Sequence, residues 1–150
     1  MVSYVDADWA SNPNSRHSIS GYIFLLSGCL ISWAAKKQPL SSTESKYMAT
    51  TLATHKAVFL QQFLIELGFH PPGPIPIFVD NQLAITLTHN PEFHAHTKHI
   101  EVCHHYICEK LEDKVIDHQY IPTDDQVVDI FTKPLQMVKY SRFVKGLSLS

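Results

Sequence analysis

The sequence predicts an α/β domain with a five-stranded mixed sheet, its first three strands antiparallel, its fourth and fifth parallel, and helices packed on it. Two observations predict this class. Three β-prone segments follow one another through residue 37 with only turn chemistry between them, so they pair as a meander. The two later strands are each reached through helical segments, and such crossovers make strands run parallel.

Taken in order, Val2, Tyr4 and Val5 begin a strand that ends in the acids of "YVDADW". "SNPNSRHS" is turn chemistry. "ISGYIFLLSG" reads as a buried strand, Gly28 turns the chain, and "CLISWAAKK" returns as a third strand. Ser41 and Glu44 in "SSTE" form a capping box, opening a helix that runs to Leu67 and stops at Gly68. Its core stripe is expected at Leu52, Phe59, Leu60, Phe63, Leu64 and Leu67. The proline-rich loop "HPPGPIP" delivers the strand "IFVD", and "NQLAITLTH" is a short helix ended by Asn90-Pro91. "TKHIEVCHHYICEKLED" is a further helix with Ile100, Cys103, Ile107 and Leu111 on one face. "KVIDHQYI" is the last strand, and a second capping box, Thr123 with Gln126, opens a short helix through Phe131. Residues 1–135 make one domain and 136–150 a C-terminal tail.

Composition narrows the function classes. Of the 150 residues 45% are hydrophobic and 17% charged, as in a folded globular domain rather than a disordered segment. A net charge of −2 advertises no polyanion partner, so nucleic acid would have to meet local patches such as Lys36-Lys37 or Lys133 to Lys145. Three irregularly spaced cysteines, Cys29, Cys103 and Cys108, argue against a disulfide framework and for a reducing compartment. No apolar run approaches the roughly 20 residues of a membrane span, and no signal peptide is present. The expectation is an intracellular protein (cytoplasmic, nuclear or in a virus-like particle), neither secreted nor membrane-bound. A strand beginning at residue 2 points to a piece of something longer.

Ligands in open α/β sheets bind beyond the carboxyl ends of the parallel strands. Asp6 and Asp80 occupy such ends, Glu44 opens the long helix, and Asp129 lies in the last one. Gathered at one edge, four acids would give oxygen-only ligands for a hard cation, the chemistry magnesium prefers in two-metal phosphoryl displacement. Each acid also has a plain structural reading. Asp6 and Asp80 serve as solvated strand ends, Glu44 as the third residue of its capping box, and Asp129 as an exposed helix acid. Spacing alone leaves both readings open.

"YVDADWA", "SISGYIFLL", "ISWAAKKQ", "SSTESKYMA", "VDNQLAI", "FHAHTKHIEV" and "DQVVDIFTKPL" resemble, in this order, the ribonuclease H module of copia-type retrotransposon Pol polyproteins. The resemblance runs from residue 4 to about Leu135. It implies a ribonuclease H-like fold, with Asp6, Glu44, Asp80 and Asp129 as catalytic carboxylates holding two magnesium ions, for which manganese would substitute. The implied reaction is endonucleolytic cleavage of the RNA strand of an RNA–DNA hybrid. Reverse transcriptase and integrase portions of such a polyprotein are implied partners outside this chain. Asp8 becomes a bystander. Asp124 and Asp125 rival Asp129, but acids in a first helical turn are sufficiently explained by the helix dipole. Strand choice would rest on the ribose 2′-OH and groove shape, with Ser20, Thr43 and Asn81 the nearest candidates for contact.

Two features depart from the pattern. His96, Cys103 and Cys108 stand where similar sequences often carry arginine, and each lost arginine weakens a phosphate contact. Such exchanges, with "WASNP" for "WAGDP" and "ESKY" for "EAEY", fit a decaying transposon copy, so a non-catalytic remnant with weak nucleic-acid binding is the alternative. The cluster "HAHTKHIEVCHHYIC" also admits a zinc reading through His99 and Cys103 with His94 or His96, resting on spacing alone. Finally, "KKQPLSSTESKY" is about three residues shorter than the usual "KKQPTVALSSTEAEY". This predicts a truncated third strand and a poorly held Glu44, and hence weak activity.

Overall fold

The computed structural model describes residues 1–9, 17–38, 42–80 and 98–148. Within them the chain forms strands β1 (Val2–Trp9), β2 (Ser18–Leu26) and β3 (Cys29–Gln38), then helix α1 (Ser42–Glu66) and strand β4 (Ile75–Val79). Helix α2 (Lys98–Glu112) and strand β5 (Ile116–Tyr120) follow. A 3-10 turn (Thr123–Asp125) leads to the short helix α3 (Asp129–Thr132) and to α4 (Met137–Gly146). The helix expected over "NQLAITLTH" and the residues Asn81, His94 and His96 lie outside the described residues.

One five-stranded sheet carries the strands in the order β3-β2-β1-β4-β5. β1 pairs antiparallel with β2, and β2 with β3, while β1–β4 and β4–β5 are parallel. Gly28 sits in the β2–β3 hairpin at φ +81° beside Ser27 at +52°, the two left-handed residues that a two-residue hairpin of right-handed twist demands. The expected truncation of the third strand does not occur. β3 pairs with β2 to its end, where Gln38 opposes Ser18. β4 starts earlier than the proline-rich spelling predicts. Pro76 lies before the first β1–β4 pair, Ser3 with Ile77, so its missing N–H falls where β1 offers no partner.

Helix α1 covers one face of the sheet with small residues. Ala49, Ala53, Ala57 and Leu60 pack with Val5, Ala7, Phe24, Ile75 and Ile77 in the main core. Thr50, Thr51 and Thr54 on this helix are buried, and each hydroxyl donates to the carbonyl four residues back, at 2.9, 2.8 and 2.8 Å. This corrects the expected stripe. Leu60 is buried, but Phe59, Phe63 and Leu67 are 58%, 48% and 57% exposed. α2 packs on the same core through Ile100, Ile107 and Leu111, as its spacing predicts.

The opposite face carries a second cluster, Ile23, Leu25, Val128 and Leu147, with Tyr4, Ile130 and Phe131 against it. The segment after Leu135, expected as a tail, is helical, with Phe143 and Leu147 buried.

Candidate active site

The parallel pairing of β1 with β4 ends at Val5 and Val79, while β1 itself runs on to Trp9 paired with β2, so Asp6 lies within the strand and not at its expected end. Val5 pairs with Val79, so Asp6 and Asp80 follow side by side on neighbouring parallel strands. Asp6 alternates with Val5 and Ala7, which face α1, and therefore points toward the α3 side. There it opposes Gly21 of β2. A side chain at Gly21 would put a Cβ 2.7 Å from Thr132 Cγ2 and 3.3 Å from Val128 Cγ2. Glycine thus lets α3 settle onto the sheet beside Asp6. Thr132 Oγ1 donates to Asp6 Oδ2 at 2.9 Å.

α3 contributes Asp129, 1% exposed, and directly after it Lys133. Pro134 holds the residue before it extended, and Lys133 indeed ends the helix at φ −131°, ψ 148°. Its side chain turns back into the site. Lys133 Nζ lies 3.0 Å from Asp6 Oδ2 and 2.9 Å from Asp129 Oδ1, bridging two almost fully buried carboxylates. Lys139 of α4 approaches the other Asp129 oxygen at 3.4 Å. Burial raises the Asp129 pKa above the ordinary carboxylate value, against the opposing pull of the Lys133 hydrogen bond. Burial would lower the Lys133 pKa, but the charge of Asp6 and the hydrogen bond to Asp129 outweigh it and hold the ammonium above its usual value.

Asp80 is half-buried and accepts a hydrogen bond from Thr123 Oγ1 at 3.4 Å. Glu44 is half-buried in the first turn of α1. That turn is fixed to the sheet where buried Ser20 Oγ donates to the Ser45 carbonyl at 3.3 Å. A small cavity of about 20 Å³ at the edge is lined by Val5, Asp6, Ala7, Lys46, Ala49, Thr50, Val79 and Asp80. It has room for about one water-sized sphere. Asp124 and Asp125 turn outward, Asp124 toward Lys139 at 3.6 Å and Asp125 onto Arg142.

Asp6 and Asp129 therefore meet, and Asp80 is their neighbour in register. Among the described residues, no three His, Cys, Asp or Glu side chains are gathered closely enough to hold a metal ion. The donor set still fits a hard cation at one place. Asp6 and Asp129 supply only oxygen, and a positive charge already lies between them.

Sequence reasoning missed three contributors: Lys133, which it assigned to a phosphate-binding patch, Thr132, and Gln126. The expected capping box at Thr123 does not form, because Gln126 is fully buried with its side chain elsewhere. Gln126 Nε2 donates to the carbonyls of Val5 at 3.0 Å and Phe78 at 3.4 Å, tying β1 to β4 just before their acids. Of the histidine cluster, the His99 side chain lies, with His94 and His96, outside the described residues, and the described members Cys103 and His104 are packed. Cys103 contacts Met48 Sδ at 3.7 Å, and buried His104 lies against Tyr47 and Cys108. All three cysteines are free thiols.

No family model matches the chain. Over 143 residues, 93% of its length, it is 39% identical to the retrovirus-related Pol polyprotein from transposon TNT 1-94 of Nicotiana tabacum, covering 11% of that protein. It is 34% identical over 152 residues, 99% of its length, to the Pol polyprotein from transposon RE2 of Arabidopsis thaliana, covering 10% of it. The chain thus spans about a tenth of the length of these curated relatives. Among solved structures it resembles LC11-RNase H1, crystallised in complex with RNA/DNA hybrid. The TM-score is 0.65 at 13% identity, over 87% of this chain and 92% of that one. At that identity the likeness speaks for the fold alone. By sequence the chain is homologous to a segment of the Pol polyproteins of copia-type transposons, and by structure it carries the ribonuclease H fold.

Proposed function

We propose that this domain hydrolyses the RNA strand of RNA–DNA hybrids, as the ribonuclease H module of a transposon Pol polyprotein. Asp6, Glu44, Asp80 and Asp129 are its catalytic, metal-holding carboxylates. The observation that carries the reading is the meeting of Asp6 and Asp129 around one positive charge where the β1–β4 pairing ends, with Asp80 directly after the parallel neighbour. Magnesium ions, or manganese in their place, would there activate a water and stabilise the leaving oxygen. The chain's own part is positional. Gln126 holds the two strand ends together, Thr132 orients the Asp6 carboxylate, and Gly21 admits α3 so that Asp129 reaches the edge. The hybrid and the reverse transcriptase and integrase portions of the polyprotein are the partners of this reading. Free thiols fit an intracellular setting. Among the described residues, no helix is long and apolar enough to cross a membrane.

A second reading is a non-catalytic remnant that keeps the fold. The observation favouring it is Lys133, which occupies the space between two of the acids.

Magnesium-dependent cleavage of a labelled hybrid by the purified domain separates the two. Asp80→Asn abolishes that cleavage while the fold survives, since removing one of several neighbouring negative charges relieves repulsion. Cleavage at the wild-type rate in this variant would remove Asp80 from the mechanism.

A further inference from the structure

Lys133 is placed too specifically to be a surface charge. Its backbone is fixed as the cap of α3, its N–H bonding the Asp129 carbonyl at 2.9 Å. Pro134 then forces the extended conformation from which the side chain returns. Its ammonium meets one oxygen of each carboxylate at 2.9 and 3.0 Å, and Asp6 and Asp129 are 4% and 1% exposed. Two carboxylates buried this deeply need a counter-charge, since burying them unpaired costs several kcal/mol. A compact ammonium on a flexible stem supplies that charge and can also leave.

We propose that Lys133 is a built-in competitor for the divalent cation. It bridges the Asp6–Asp129 pair and offsets one of its two negative charges when no metal is bound, and its ammonium must swing out before an ion can enter. The proposal rests on the metal-dependent reading above and adds regulation to it. The domain's metal affinity is set by the exchange of one cation for another, and the site stays folded, with its repulsion partly offset, while metal is scarce. Lys139 is a weaker version of the same contact. It touches Asp129 at 3.4 Å, shares its charge with Asp124, and does not touch Asp6.

The test uses the 150-residue chain and measures Mn²⁺ binding without nucleic acid, by electron paramagnetic resonance of the free ion. Lys133→Met keeps the stem and removes the charge, and is expected to tighten Mn²⁺ binding at least about tenfold. Lys139→Met removes an equal charge nearby and should gain much less. Equal gains in the two variants would show a general field effect and overturn the proposal, as would equal affinity in Lys133→Met and wild type. Absence of Mn²⁺ binding in both would overturn the metal-dependent reading itself, and the proposal with it. Should Lys133→Met fail to fold, the wild-type chain still decides. With labelled lysine, the Lys133 side-chain resonance should shift as Mg²⁺ saturates the site. A resonance that stays fixed while Mg²⁺ binds would sink the idea.

Discussion

Tyr47 carries its phenol into the contact between α1 and α2, beside His104, and is 4% exposed. Burial, with a smaller contribution from Cys108, pushes its pKa up from 10.0 to about 12. The sign follows from linkage. Above pH 10 the unfolded phenol loses its proton while the folded one keeps it, so stability falls as pH rises and levels off above about 12. A shift of that size corresponds to about 2–3 kcal/mol. Tyr47→Phe should therefore flatten the loss of stability between pH 10 and 12 in urea titrations; an unchanged slope would mean the phenol is not held neutral. Gly21 gives a second prediction at this scale. Gly21→Ala puts a methyl group against Thr132 and Val128, and such overpacking costs about 1–3 kcal/mol. It should also reduce hybrid cleavage by more than the lost stability explains, because Thr132 can no longer reach Asp6. Unfolding and cleavage measured together check both halves. Among single residues, Asp6 and Asp129 were singled out in the sequence and the lysine between them was not. An acid at a parallel strand end stands out, whereas a lysine near a C-terminus reads by default as a solvated charge. Its turn inward depends on Pro134 and on the depth of Asp6, and the second of these exists only in the fold.

Among the described residues the elements from β1 to β5 were legible in type and order, whereas α4 was not, and which face each element buries was much less legible. Large apolar residues on α1 drew the expected stripe toward Phe59, Phe63 and Leu67. The helix instead lies close on β1 and β2, where alanines and self-satisfied threonines fit and phenylalanine would not. Helical spacing predicts a stripe, but the distance to the sheet selects the side chains that fill it. Gln126 was misread for a similar reason, since a Thr-x-x-Gln spacing is satisfied locally in a capping box and the competing long-range acceptors are invisible in one dimension. Helix α4 carries the prediction here. Ending the chain at Leu135 removes the burial of Phe143 and Leu147, each contributing up to about 1.5–3 kcal/mol, together with the Lys139 contact to Asp129. The shortened chain is expected to lose several kcal/mol in chemical denaturation. Equal stability in the two chains would return this segment to the status of a tail.

At the scale of the whole molecule, crossover logic gave the direction of β4, parallel to β1, and the observed strand order then puts Asp6 beside Asp80. The short connection before α1 was harder to judge. Three residues fewer than in similar sequences predicted strain, assigned to whichever neighbouring element was weaker. Both neighbours are complete. β3 stays paired to Gln38, α1 begins at Ser42, and the Ser20–Ser45 bond anchors the first turn that carries Glu44. The two elements are joined by residues 39–41. Inserting Thr-Val-Ala after Pro39 doubles that connection, and each doubling of a loop costs only about 0.6 kcal/mol in closure entropy. The core contacts of Ala49, Ala53 and Leu60 are worth far more than that, so they, and not the loop, determine where α1 sits. The insertion should therefore shift stability by less than about 1 kcal/mol and leave the rate of hybrid cleavage unchanged. A marked rise in cleavage after insertion, at constant stability, would instead mean that the short connection pulls Glu44 away from Asp6 and that α1 is not seated by its core face alone.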